Sequence, residues 1–241
     1  QNPSLSFTLS KCMTQTSVSF VPKEIRNKVF SFEFKFEGNN NLTFHPKIQT
    51  FLERIDNYVP FVRHHHLTIE SSNSFPHSSG IASSASGMSA LALGIMSIEK
   101  KINPTMTDAY FFQKASFLAR LGSGSAARSI KGPLVSWGKS DAFEGSSDLY
   151  GTALDSKIHP IFEEYQDTIL LIDKSQKKVS STVGHNLMNN HPYAATRFDQ
   201  ASTNVKKLKI IISQGDLTEF ISLVESEALT LHALMMASQP Y

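Results

Sequence analysis

S-F-P-H-S-S-G-I-A-S-S-A-S-G, residues 74–87, leads directly into a small-residue segment that reaches Lys101 and carries Met88, Leu91, Leu93 and Ile95. The pattern predicts a loop feeding the N-terminus of a helix. Gly80 and Gly87 relieve side-chain crowding, and the free N–H groups at a helix start present the positive end of the dipole to an anion. Ser78, Ser79, Ser83 and Ser84 add hydroxyl donors. Such a loop suits a nucleotide triphosphate, although no G-K-[ST] ends it as in a Walker loop. The same composition suits a plain turn before a tightly packed helix, and the loop alone leaves both readings open.

A second glycine-serine stretch, L-G-S-G-S-A-A-R-S over residues 121–129, follows the next helical pattern. Ser123 and Ser125, two residues apart, can hold a diphosphate together with the backbone amides around Gly124. Arg128 can engage two oxygens of a carboxylate or phosphate at once. Anion recognition is common to both loops. A glycine-rich helix boundary with a surface arginine would look the same.

The remaining chain supplies a scaffold for these loops. Leu5, Phe7 and Leu9 alternate with polar residues, as do Phe30, Phe32, Phe34 and Phe36, which predicts two half-buried strands and an antiparallel sheet with one wet face. Gly38, Asn39 and Asn40 read as a turn. Ile48, Phe51, Leu52 and Ile55 mark one face of a helix starting near Pro46, and residues 66–70 read as a short strand. Asn103 and Pro104 end the first loop's helix. Thr107 and Asp108 can cap the next, on which Phe111, Ala115 and Leu118 share a face. Composition turns polar over residues 139–154, the candidate domain boundary, giving domains 1–153 and 154–241. Beyond it, T-I-L-L-I-D at 168–173 suits a buried strand, and two long helices are expected over 193–212 and from Asp216. Leu217, Phe220, Ile221, Val224, Ala228 and Leu231 stripe the second of these, and Met235 and Met236 with Leu231 read as core. Asp216 and Glu219 have capping-box spacing.

The 23 Lys and Arg exceed the 21 Asp and Glu by only two and are scattered, so nucleic acid is not suggested by charge. No apolar run approaches the ~20 residues of a membrane-spanning helix, so no membrane is expected. The single cysteine, Cys12, cannot form an internal disulfide, which favours a reducing compartment and makes the cytoplasm the default. Consecutive His64, His65 and His66 on a strand would point to alternating faces, so no metal site is expected there. Exposed helical faces permit a homodimer.

F-P-H-S-S-G-I-A-S-S-A-S-G at 75–87 resembles the phosphate-binding loop of the superfamily of galactokinase, homoserine kinase, mevalonate kinase and phosphomevalonate kinase. Ala82 before Ser83 and Ser84 resembles the decarboxylase branch rather than the kinases. A-R-L-G-S-G-S-A-A-R-S at 119–129 is more specific to that branch, the mevalonate diphosphate decarboxylase family. N-P-S-L-S-F-T-L-S at 2–10, K-K-V-S-S-T at 177–182 and E-A-L-T-L-H-A at 227–233 support it in the same order.

The resemblance implies an α+β fold: an N-terminal domain like domain 2 of ribosomal protein S5, then a ferredoxin-like α/β sandwich, with the site between them. It implies ATP and Mg2+ as cofactors and mevalonate diphosphate as substrate, phosphorylated on its 3-hydroxyl before phosphate and carbon dioxide leave to give isopentenyl diphosphate. By matched position, the resemblance implies that Ser78, Ser79, Gly80, Ser83 and Ser84 bind the nucleotide, with Ser84 the first choice for a phosphate or metal contact. Ser123, Gly124 and Ser125 would bind the substrate diphosphate, and Arg128 would orient its carboxylate, making Arg128 and Ser84 the candidate catalytic residues. Ser180, Ser181 and His232 match family positions with a supporting role. The family also has a K-Y-W-G-K type of segment before the strand at Ser4 and a D-A-G-x-N type of segment, bearing the favoured catalytic base, beyond the helix at 227–233. Both domains are therefore expected to be truncated here, and the 241 residues alone are not expected to turn over substrate.

Overall fold

The computed structural model describes residues 2–24, 29–77, 80–154, 158–170, 184 and 186–238. Its main body is a four-stranded sheet covered on one face by three helices. The strands are β2 (Thr14–Pro22), β3 (Ser31–Phe36), β4 (Asn39–Asn40) and β5 (His65–Asn73), in the order β2-β5-β3-β4. β5 pairs antiparallel with β2 over nine residue pairs and parallel with β3. The sheet is therefore mixed, where the alternation alone predicts an antiparallel one. Leu67 and Ile69 on β5 and Phe34 on β3 point to the helices, and Phe32 and Phe36 pack against the same core.

The covering helices are α1 (His45–Ile55), α2 (Ser83–Ile102) and α3 (Asp108–Gly122). On α1 the buried residues are the four that the spacing predicts, Ile48, Phe51, Leu52 and Ile55. α2 starts at Ser83, four residues before the expected point, because Gly87 is carried inside the helix without breaking it. Ala92, Ile95 and Met96 on α2 meet Ala115, Leu118 and Ala119 on α3 in the fully buried centre. Gly94 lets α2 lie close on the sheet: a Cβ there would stand 2.6 Å from Val18 Cγ2. Thr107 caps α3 by accepting from the Tyr110 N–H at 3.3 Å, as the sequence predicts.

A second sheet joins β1 (Ser4–Phe7), β6 (Leu134–Trp137) and β7 (Thr152–Ala153) in the order β1-β6-β7, all antiparallel. β1 ends at Phe7, so Leu9 lies outside the strand expected to include it. Of the predicted strand at 168–173, residues 168–170 are not in a strand, and 171–173 lie outside the described residues.

Two further helices, α4 (Ala194–Gln214) and α5 (Leu217–Met236), form a hairpin. Gly215 turns the chain at φ +80°, and Asp216 accepts from the Glu219 N–H at 3.0 Å. Phe162, Ile211, Ile212 and Phe220 cluster here, with Leu5 and Phe7 of β1 packed against them. The stripe on α5 is largely open: Phe220 is the buried residue on the helix, while Ile221 is 49% and Met236 75% exposed. Met236 is thus not core; among the described residues, the main element packed along α5 is α4.

Candidate active site

The loop into α2 makes two left-handed turns in three residues, at Gly80 (φ +95°) and Ala82 (φ 52°, ψ 42°). Left-handed backbone is costly for a residue with a Cβ, and alanine's is the smallest such side chain. The N-cap residue Ala82 offers no side-chain hydrogen bond, and no acidic residue lies in the first turn of α2. The start of this twenty-residue helix carries the positive end of its dipole, which favours an anion.

Two cavities flank this helix start. One is lined by Ser83, Ser84, Gly87 and Met88 of α2, by Phe36 and Phe44, and by Lys47, Asn73 and His77. His77 meets Phe44 edge-on at 5.1 Å, and desolvation and the Lys47 charge, opposed by Glu37, hold its imidazole below the ordinary histidine range. The other cavity, of about 340 Å³, is lined from α2 by Ala82, Ala85, Ser86 and Ser89 and from the opposite side by Thr8, Cys12, Ser125 and Arg128. Among the described residues, no carboxylate lines either cavity.

The second loop closes that larger cavity. α3 ends at Gly122, Ser123 is extended, and residues 124–129 wind into a 3-10 turn with Ala126 and Ala127 buried. Two serines hold this turn by its carbonyls. Ser89 Oγ lies 2.9 Å from Ala126 O, and Ser116 Oγ donates to Ala127 O at 2.7 Å and accepts from the Gly151 N–H at 2.8 Å. The turn presents Arg128, whose Nη1 donates to Ser4 Oγ at 3.2 Å and whose guanidinium carbon lies 5.9 Å from the Trp137 ring centroid. Burial pushes the Arg128 guanidinium below its ordinary value. Among the described residues, no acidic side chain pairs with it. A desolvated cation without a counter-ion, facing a cavity, is a place for an anionic ligand.

The two sequence motifs thus fall on neighbouring cavities that share α2. Ser83 and Ser84 lie together on one, and Ser125 and Arg128 lie together on the other. Ser123 and Gly124 line neither of them: Ser123 closes the end of α3, and Gly124 packs against Trp137, where a Cβ would stand 3.2 Å from the ring. Ser78, Ser79, Ser180 and Ser181 lie outside the described residues. His65 Nδ1 bonds to Phe61 O and His66 Nδ1 to Ser31 Oγ, both at 2.7 Å, so the adjacent histidines serve different neighbours. Sequence reasoning missed Ser89, Ser116 and Ser4, since a serine inside a helix or strand carries no mark of what its hydroxyl holds.

A family model for the diphosphomevalonate decarboxylase-like N-terminal domain matches residues 1–149. The diphosphomevalonate decarboxylase of Gibberella zeae is 30% identical over 195 residues, covering 78% of this chain and 47% of that protein. Its Saccharomyces cerevisiae counterpart is 30% identical over 193 residues, covering 77% and 46%. The chain therefore spans about half the length of these relatives. Among solved structures, the mevalonate diphosphate decarboxylase of Staphylococcus aureus superposes with a TM-score of 0.78 at 26% identity, covering 99% of this chain and 67% of that one. Among the described residues, no helix is long and apolar enough to cross a membrane.

Proposed function

The chain belongs to the diphosphomevalonate decarboxylase-like family, and from that premise we propose that its protein converts mevalonate diphosphate to isopentenyl diphosphate at the expense of ATP. The observation that carries this reading is Arg128, a desolvated guanidinium with no acidic partner among the described residues, standing with Ser125 on a cavity beside the start of α2.

Each group has a task that its chemistry fits. The planar fork of Arg128 holds the substrate carboxylate by two parallel hydrogen bonds, and Ser125, on the same cavity, receives the diphosphate. On the other side of α2, Ser83 and Ser84 with the helix dipole receive the ATP phosphates. The Ser84 hydroxyl is an oxygen donor of the kind magnesium prefers and would help hold the ion, which would neutralise phosphate charge when bound. The phosphoryl group passes to the 3-hydroxyl oxygen. As the C–C bond to the carboxylate breaks, its electron pair forms the new double bond and the 3-phosphate departs with its oxygen. By holding the carboxylate against a single cation, Arg128 fixes the bond to be broken while the remaining carbons are free to flatten. The lack of any possible internal disulfide with Cys12 alone supports a cytoplasmic setting. The domain division stays as read from the sequence, 1–153 and 154–241, with an S5 domain 2-like unit followed by a ferredoxin-like one.

The test uses the whole natural gene product with mevalonate diphosphate, ATP and Mg2+, with ADP and carbon dioxide measured in the same reaction. The decarboxylase yields both in equal amounts. ADP without carbon dioxide would identify a kinase of the same superfamily instead, and neither product would leave an anion-binding homologue.

A further inference from the structure

We infer that Ser116 is a positioning residue: its hydroxyl, wired between the Ala127 carbonyl and the Gly151 amide, sets where Arg128 stands in the cavity. The inference rests on the reading of Arg128 as the anion-holding group of this site. Ser116 is 2% exposed and sits on α3, away from the cavity lining. Its hydroxyl has one proton, which goes to Ala127 O at 2.7 Å, and a lone pair, which takes the Gly151 N–H at 2.8 Å. Ala127 O belongs to the peptide unit that enters Arg128, so holding this oxygen fixes the plane from which the Arg128 side chain departs.

A second contact acts on the same oxygen. A Cβ at Gly151 would come within 2.4 Å of Ala127 O, so residue 151 closes against that carbonyl as nearly as a chain can. Arg120 Nε anchors the same segment by donating to Leu149 O at 2.8 Å. The neighbouring carbonyl, Ala126 O, has the weaker hold of Ser89, whose proton is shared with Ala85 O at 2.7 Å. Two helices thus grip the turn from behind, and the stronger grip falls on the peptide next to Arg128. Among the described residues, the Arg128 side chain itself is steadied by Ser4 and the Trp137 face.

The experiment measures binding of mevalonate diphosphate by calorimetry well below the unfolding midpoint, with emission from Trp137, the single tryptophan of these 241 residues, as a second readout. Ser116→Ala is expected to bind mevalonate diphosphate about tenfold more weakly and to shift the Trp137 emission, because the guanidinium over that ring is no longer held in one place. Ser116→Thr, which keeps the hydroxyl, is expected to recover binding to within about threefold of the parent. Should Ser116→Ala not fold, Ser116→Cys keeps the volume while weakening both hydrogen bonds, and it carries the same expectation. A lower unfolding temperature with unchanged mevalonate diphosphate affinity in the Ala or Cys variant would overturn the inference, leaving Ser116 a stability residue. Arg128→Lys in parallel separates the two readings. If Arg128→Lys weakens binding and Ser116→Ala does not, the positioning role alone falls; if Arg128→Lys binds like the parent, the anion site itself falls.

Discussion

Arg128 and Ser84 are the residues proposed to carry the chemistry, and their surroundings make different demands. Arg128 is desolvated and acts by shape, so Arg128→Lys keeps the charge but loses the fork. We expect this variant to remain folded and to lose about 3 kcal/mol of transition-state stabilisation, roughly a hundredfold in kcat/KM for carbon dioxide release. A rate within twofold of the parent would remove Arg128 from the reaction. Ser84 is exposed at the mouth of its cavity. Ser84→Ala is expected to raise the KM for ATP through loss of a hydrogen bond to a charged group, about 1.5 to 3 kcal/mol, while the unfolding free energy moves by no more than ~0.5 kcal/mol. Unchanged ATP kinetics would return Ser84 to a plain turn. At this scale the sequence made Arg128, Ser125 and Ser84 legible through motif and chemistry. It could not show Ser116 or Ser89, because their role depends on carbonyls 11 and 37 residues away.

Among the elements, α2 and α3 matter most, since α2 separates the two cavities and α3 carries Ser116. Their mutual packing is dry and close: Ile95 and Leu118 are both fully buried. Ile95→Ala should cost about 2 to 5 kcal/mol in denaturant unfolding, well above the ~1 kcal/mol expected for removing the Thr107 cap by Thr107→Ala. Equal costs would mean that the α2–α3 seam is less tightly packed than described. Helices α1 and α3 could be read from the sequence because each has a single wet face and a clear cap or proline. The start of α2 was misplaced because serine, alanine and glycine fit a loop and a closely packed helix alike. Strand β2 escaped notice for a related reason: its inward positions include Thr14 and Thr16, so the alternation that sets its burial is weak in hydrophobicity.

In the whole molecule, the first sheet and its three helices form one core, and the smaller cluster around Phe162, Ile211 and Phe220 reaches back to Leu5 and Phe7 of β1. The segment that reads as a polar boundary does more than connect. Ala142 and Phe143 pack with Val205, Lys209 Nζ donates to Ala142 O at 2.6 Å, and Gly151 closes behind the Arg128 turn. Composition identified a change of character there but not these contacts, which are made by small groups and backbone atoms. On the proposed function, the cavity between β1, α2 and the 124–129 turn receives the substrate with its carboxylate on Arg128. The most direct measurement is calorimetric binding of mevalonate diphosphate and of an analogue with a hydroxymethyl group in place of the carboxylate, each to the parent protein and to Arg128→Gln. The parent is expected to prefer the carboxylate by about tenfold or more and Arg128→Gln to erase the preference, a coupling of at least ~1.4 kcal/mol. An undiminished preference in Arg128→Gln would place the carboxylate elsewhere and remove Arg128 from substrate binding.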